Sequence, residues 1–284
     1  FDLYLERLDP NKNIFLSSEL NKYKEEITKK RDIEENLKVA YDAFKTYGKR
    51  YQSRYDLQVN FLNNISDNDL RSSKRIIRDR SKAERLDVIE ELENSWQDLI
   101  VNDIIQLMLS GNSVEESAEK TLKRLKNQLN YFNQTRNEDV FNIYINSISS
   151  IYGPHTSYMS PKNTEDFDIN MSLSLEGIGA LLSPDGPYTS ISSLIPGGPA
   201  EKSGLLKPKD KIIGVGQEDD GEIIDVVGWR LDDVVELIRG PKDSKVRLEI
   251  IPGTSLDDSN TKEIQIIRNL VKLEDQAAEK KIIN

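Results

Sequence analysis

No cysteine occurs in the 284 residues, and histidine occurs once. The first absence excludes disulfides, thiolate zinc sites and cysteine nucleophiles. The second leaves a serine–histidine–aspartate arrangement with one available base, His155, and excludes a site with several histidine ligands. No run approaches the roughly 18 apolar residues that cross a bilayer, so no membrane span is expected. Neither a Gly-x-Ser-x-Gly elbow nor a Gly-x-x-x-x-Gly-Lys-Ser/Thr phosphate loop is present. The residues call for no metal and no cofactor. An initiator methionine is missing too: the chain opens on Phe1, which reads as an artificial or processing boundary, so the lack of a leader says little about compartment.

Positive charge is in the minority, with 39 basic against 49 acidic side chains and a formal net charge of −10. That balance repels phosphate backbones, so no nucleic-acid partner is expected. Most carboxylates fall on the polar faces of helices and read as solvated. The basic run from Lys74 and Arg75 to Arg78 and Arg80 is interrupted by Asp79 and reads as an exposed linker. Hydrophobic residues at 37% and charged residues at 31% permit folding where the apolar positions recur regularly. The length suits two domains better than one core.

Proline and glycine are nearly absent from the first half, which is what uninterrupted helices need. From Ile33 the apolar positions run Leu37, Ala40, Tyr41, Phe44, Tyr47, Tyr51, Tyr55, Val59 and Leu62, one stripe on one helix face. A second helical run is expected over Ala83, Leu86, Ile89, Trp96, Leu99, Ile100, Ile104, Leu107 and Met108, with Gly111 as its stop. Ser113–Glu116 and Thr135–Glu138 both fit the capping-box pattern. The texture changes at Gly153-Pro154: nine of the ten prolines and thirteen of the fifteen glycines lie from there onward. Short apolar or β-branched runs at 171–183, 188–195, 211–217, 222–227 and 245–251 read as strands. In this half helices are expected only at Pro199–Ser203 and Leu231–Ile238, and a hairpin tip at Asp257–Asn260. The expected fold class is α+β and multidomain: an all-α helical domain over 1–166, then a small β-barrel or sandwich with two helices over 167–268.

The informative segment is Ser172 to Leu182, where Gly177 and Gly179 flank Ile178 at the mouth of an apolar strand ending in Ala180, Leu181 and Leu182. Glycines there allow successive backbone amides to turn toward one point and hold a carboxylate without a basic side chain. An open strand edge beside it can accept an extended peptide as an added strand. The facing wall would be the helix with Leu231, Val234, Val235 and Ile238 on one face. A plainer reading has the glycines marking a bulge and the helix merely packing on the sheet.

Between these elements stand Leu194 to Leu205, including Pro199-Ala200 and Ser203-Gly204-Leu205, and Pro208-Lys209-Asp210-Lys211-Ile212. The segment Gly228-Trp229 to Gly240-Pro241 and the strand Lys245 to Ile250 follow. In motif and order this resembles the bacterial type of PDZ domain. Pro154-His155-Thr156-Ser157-Tyr158-Met159-Ser160-Pro161, Glu165-Asp166-Phe167 and Ser172 to Ala180 narrow the resemblance to the tail-specific (C-terminal processing) proteases of Gram-negative bacteria. Phe1 to Pro10 and Glu138-Asp139-Val140-Phe141 are similar to the same family. One departure is Gly153, where the family usually has aspartate.

The resemblance implies a periplasmic endopeptidase that recognises apolar C-terminal tails of protein substrates and cleaves with a serine activated by a lysine. Those two residues belong to a domain that follows the PDZ unit, and 269–284 would be its start, so no catalytic residue is expected here and the chain is expected to be inactive alone. The peptide-binding residues would be Gly177, Ile178, Gly179, Ala180, Leu231, Val235 and Ile238, with Val234 as a substitute for one of the helix positions. Gly179→Val is expected to fill the nest while the domain stays folded. The family does not use histidine as its base, so His155 is expected to be structural, satisfied by nearby backbone. The helical half is a candidate docking surface for a lipoprotein adaptor. The alternative class is a non-enzymatic PDZ adaptor or scaffold, in which helices and PDZ unit serve assembly only.

Overall fold

The computed structural model describes residues 1–29, 32–66, 69–71, 75–255 and 260–272. Lys74, the expected hairpin tip at 257–259 and the tail from 273 lie outside the described residues. The chain divides into two compact units, Phe1–Ser160 and Pro161–Asn284.

The first unit is helical: α1 (Asp2–Leu8), α2 (Ser17–Lys29), α3 (Ile33–Asn63), α4 (Ile89–Leu109), α5 (Val114–Asn133) and α6 (Asn137–Tyr152). Its spine is α3, whose apolar stripe serves two clusters in succession. Val39, Ala40 and Ala43 pack with Tyr4 and Leu5 of α1, Tyr23 of α2, and Val140 and Tyr144 of α6. Further along, Leu62 packs with Ile100 and Ile104 of α4 and Leu125 of α5. Ile33, expected to open the stripe, is 71% exposed at the first position of the helix. Phe132 of α5 stacks on Phe44 and Tyr51, with ring centroids 5.8 and 4.6 Å apart. It comes so close to α3 that a Cβ on Gly48 would stand 3.3 Å from its ring. A mid-helix glycine costs about 1 kcal/mol relative to alanine, and here it makes room for the aromatic stack.

Two expectations shift locally. The run from Ala83 does not join α4, which starts at Ile89. The carbonyls of that stretch are taken by the loop after α1 instead: Lys12 Nζ donates to Ala83 O at 2.9 Å and the Ser17 amide to Leu86 O at 3.1 Å. The Ser113–Glu116 capping box forms, with reciprocal bonds of 3.1 and 3.0 Å. The Thr135–Glu138 pair does not: α6 begins one residue later, and the Arg136 amide donates to Asp139 Oδ2 at 2.8 Å.

The loop after α1 is organised by Asp9, which is 2% exposed. Its carboxylate accepts from the amides of Asn13, Ile14 and Phe15 at 2.9, 3.1 and 3.1 Å and pairs with the Arg85 guanidinium. The buried Trp96 adds a second tie, its indole N–H donating to Asn13 O at 2.7 Å.

The second unit opens with α7 (Pro161–Ser172), followed by β1 (Ser174–Gly177), β2 (Ala180–Asp185), β3 (Tyr188–Leu194), α8 (Pro199–Ser203), β4 (Lys211–Gln217), β5 (Ile224–Asp225), α9 (Leu231–Ile238), β6 (Lys245–Ile251), β7 (Lys262–Ile267) and β8 (Asn269–Lys272). The boundary expected at 166 falls inside α7, and the helix covers Met171, expected to begin a strand. The main sheet runs β2-β3-β4-β6-β7, antiparallel throughout, with β5 on β4. Asn269–Lys272, expected in a following segment, pair as β8 with β1 in a separate two-stranded ribbon. Alternation supplies the core: Val246, Leu248 and Ile250 of β6 and Ile264 and Ile266 of β7 point inward with Val234 and Ile238 of α9. The chain is thus α+β, an all-α unit followed by a small antiparallel β unit carrying helices.

Among the described residues, Arg268 is the largest polar side chain buried in this unit. Arg268, 2% exposed, donates to the carbonyls of Leu237 and Ile238 at 3.0 and 2.8 Å, to Lys245 O at 3.1 Å, to Ser244 Oγ at 3.0 Å and to Gln217 Oε1 at 2.6 Å. A cation at the C-terminal end of α9 satisfies carbonyls that the helix leaves unpaired and complements its dipole. Gly240 is required beside it, because a Cβ there would stand 2.9 Å from Arg268 Cζ.

Both buried charges should therefore dominate the stability of their units. Asp9→Ala leaves three amides and a guanidinium without an acceptor, and should cost the helical unit about 3 kcal/mol or more in urea unfolding. Arg268→Met keeps much of the volume but abandons five acceptors. It should cost the second unit about as much, and intrinsic fluorescence of Trp229 against urea reads that unit.

Candidate peptide-binding groove

Strand β2 pairs with β3 and, among the described residues, with no other strand, so its second edge is open. On that side it meets α9, the helix that Arg268 fixes to the sheet. Edge strand and helix together make the two walls of a groove. Leu231 and Val235 of α9 are half-buried, whereas Val234 and Ile238 are buried in the core. Val234 is therefore turned away from the groove surface, and Ile238 with Ile178 lies beneath it. Ala180 and Leu182 of β2 are partly buried on the core side, while Leu181 is exposed.

The turn that joins β1 to β2 closes one end. Gly177 ends β1 opposite Asn269, and Ala180 begins β2 opposite Leu194. Between them the chain reverses through Gly179, whose φ of 73° lies in the left-handed region. The carbonyls are spoken for: the Ala200 amide donates to Ile178 O at 2.8 Å and the Ile195 amide to Gly179 O at 2.9 Å. Neither the Ile178 nor the Gly179 amide donates to a backbone carbonyl among the described residues. Tethered carbonyls and uncommitted amides in a reversed turn are the ingredients of an anion nest.

Gly179 is tighter than the expectation of a tolerated Gly179→Val allows. A Cβ there would stand 3.1 Å from Gly198 Cα and 3.3 Å from a Val271 methyl, on a backbone that β-branched residues avoid. The loop before α8 and strand β8 thus pack against the turn itself, and the substitution would strain the domain as well as fill the nest.

His155 does not take the structural role expected of it: it is exposed and makes no hydrogen bond among the described residues. Three residues at the groove were missed in the sequence. Arg268 was visible as a lone arginine in the alternating run Ile264, Ile266, Arg268, a pattern that marks a buried, partnered charge. Arg239 follows α9, and Asp166 of α7 lies 2.9 Å from its Nη1. Nothing in their spacing announces that contact.

A family model described as the tail specific protease N-terminal domain matches residues 1–162, and a PDZ domain model matches residues 166–251. The tail-specific protease of Haemophilus influenzae is 40% identical over 281 residues, covering 98% of this chain and 40% of the relative. The carboxy-terminal processing protease of Bacillus subtilis is 34% identical over 142 residues, covering 50% of this chain and 28% of that protein. The chain thus spans less than half the length of these relatives. The PDZ domain of a carboxy-terminal protease from Vibrio cholerae, solved in complex with peptide, is 51% identical, covering 36% of this chain and 100% of that one, with a TM-score of 0.34. The chain belongs to the tail-specific protease family, of which it carries the N-terminal helical domain followed by a PDZ domain.

Proposed function

We propose that this chain is the substrate-recognition and regulatory part of a periplasmic tail-specific serine endopeptidase, and that its PDZ groove captures apolar C-terminal tails of protein substrates. The observation that carries the reading is the open edge of β2 facing α9, closed at one end by the turn at Gly177–Gly179. An extended tail would add to β2 as an antiparallel strand, its main chain supplying affinity and alternate side chains meeting α9. Its carboxylate would lie against the amides of Ile178 and Gly179, while Leu231 and Val235 would contact its apolar side chains. Ile178 and Ile238, being core residues, would offer only a floor, and Ala180 leaves space that a larger side chain would occupy. Serine–lysine cleavage, in which burial keeps the lysine neutral and able to act as base, would belong to the parent protein. This chain is proposed to bind without cutting.

Titration of the chain with a labelled peptide ending in small apolar residues and a free carboxylate should give micromolar-range binding, roughly −8 kcal/mol. The same peptide amidated should lose it. Equal binding of the two peptides would overturn the nest, and binding of neither would remove the groove from substrate capture. Val235→Asp, at a half-exposed position, should weaken the free tail by about tenfold or more through burial of a charge, with an unchanged melting temperature. Gly179→Val, by contrast, should lower the melting temperature as well as the affinity.

A further inference from the structure

Arg239 follows the last residue of α9, and its amide donates to Val235 O at 2.9 Å. It stands beside the turn: a Cβ on Gly177 would lie 3.9 Å from both Cα and Cγ of Arg239. The guanidinium therefore springs from the rim of the proposed carboxylate nest. In this structure it is engaged by a carboxylate of the chain itself, Asp166 Oδ1, at 2.9 Å. Both side chains remain accessible, 31% exposed for Arg239 and 45% for Asp166. The other charges nearby are Glu176, whose carboxylate accepts the Lys242 amide at 3.2 Å, and the Lys162–Asp232 pair at 3.6 Å, which also joins α7 to α9.

The helix that supplies Asp166 is held loosely. No residue of α7 is buried, and Phe167 and Met171 are exposed. Two ion pairs join it to α9, and exposed ion pairs contribute little and exchange readily.

We propose that Arg239 is a second anchor for the terminal carboxylate of a bound tail, and that Asp166 is its internal competitor. In the free domain Asp166 occupies the arginine; an arriving tail exchanges one carboxylate for another. This inference rests on the groove reading above and adds two consequences to it. Recognition of the chain end is shared between backbone amides and one cation, a charge-assisted contact that a neutral, amidated end cannot make. Capture also loosens α7, and by linkage whatever holds Asp166 on Arg239 weakens tail binding by the same factor.

The test is a double-mutant cycle on tail affinity, using the free-carboxylate and amidated peptides with the whole chain. Asp166→Asn should tighten the free tail about fivefold. Arg239→Gln should weaken it about tenfold and, in the double variant, abolish the gain from Asp166→Asn. The amidated peptide should respond to neither substitution. Melting temperatures control for folding, since both residues are partly exposed. Binding of the free tail by the wild type with no change in either variant would overturn the role of Arg239 and leave the groove standing. Gains from Asp166→Asn that persist without Arg239 would likewise overturn the competition. Failure of the wild type and of Asp166→Asn alike to bind would overturn both the groove and this inference.

Discussion

The groove exists because one buried arginine holds a helix end against a sheet. Arg268 collects the last carbonyls of α9, the Lys245 carbonyl and the side chains of Ser244 and Gln217 around one guanidinium. Without that convergence, α9 would rest mainly on the apolar contacts of Val234, Leu237 and Ile238 and on one bond from Gln217 Nε2 to Leu237 O at 2.8 Å, and apolar contacts fix distance better than they fix angle. A planar donor with five N–H groups fixes both. The separation of α9 from β2, on which any ligand between them depends, follows from this one side chain and from the glycine at 240 that admits it.

The helical unit uses a similar device with the opposite sign. Asp9 gathers three amides and Arg85 and so joins a loop near the start of the chain to the irregular stretch before α4. In both units a buried, fully partnered charge does what helix packing alone leaves undetermined. The tie between α7 and α9 belongs to another class. Its ion pairs are exposed and no apolar side chain of α7 is buried. Strongly committed charges build the two scaffolds, and weakly committed ones sit where exchange is useful.

Much of this was legible in the residues because it depends on local periodicity. The stripe along α3, the Ser113–Glu116 box and the bounds of α8 and α9 all follow from spacing within a few residues. What escaped depends on partners distant in the chain. Asp9 and Arg85 are 76 positions apart, and the acceptors of Arg268 lie on three separate segments. Ala83 and Leu86 fit the phase of α4 but lose their carbonyls to another loop. The helix phase at α9 is ambiguous for a related reason: five apolar residues crowd into eight positions, and the sheet beneath decides that Val234 goes inward and Val235 stays at the surface. The single strand expected over 171–183 breaks at Gly177–Gly179 into β1 and β2, because the distant β8 takes the first part as its partner, and Gly198 and Val271 crowd Gly179 from segments equally remote in spacing.

Pro184 stands in the exposed edge strand, and the β2–β3 register slips between Leu181 and Leu182. Proline has no amide hydrogen to offer and a bulge twists the edge away, the usual means by which a bare strand is kept from pairing with its own kind. The open ladder is thereby cut to a few residues next to the turn. A tail captured there as proposed would be gripped over a short length only, which would suit a surface that inspects an end and ignores the body of the polypeptide behind it. Brevity of contact would also favour short residence, so a tail bound in this way would be handed onward rather than stored.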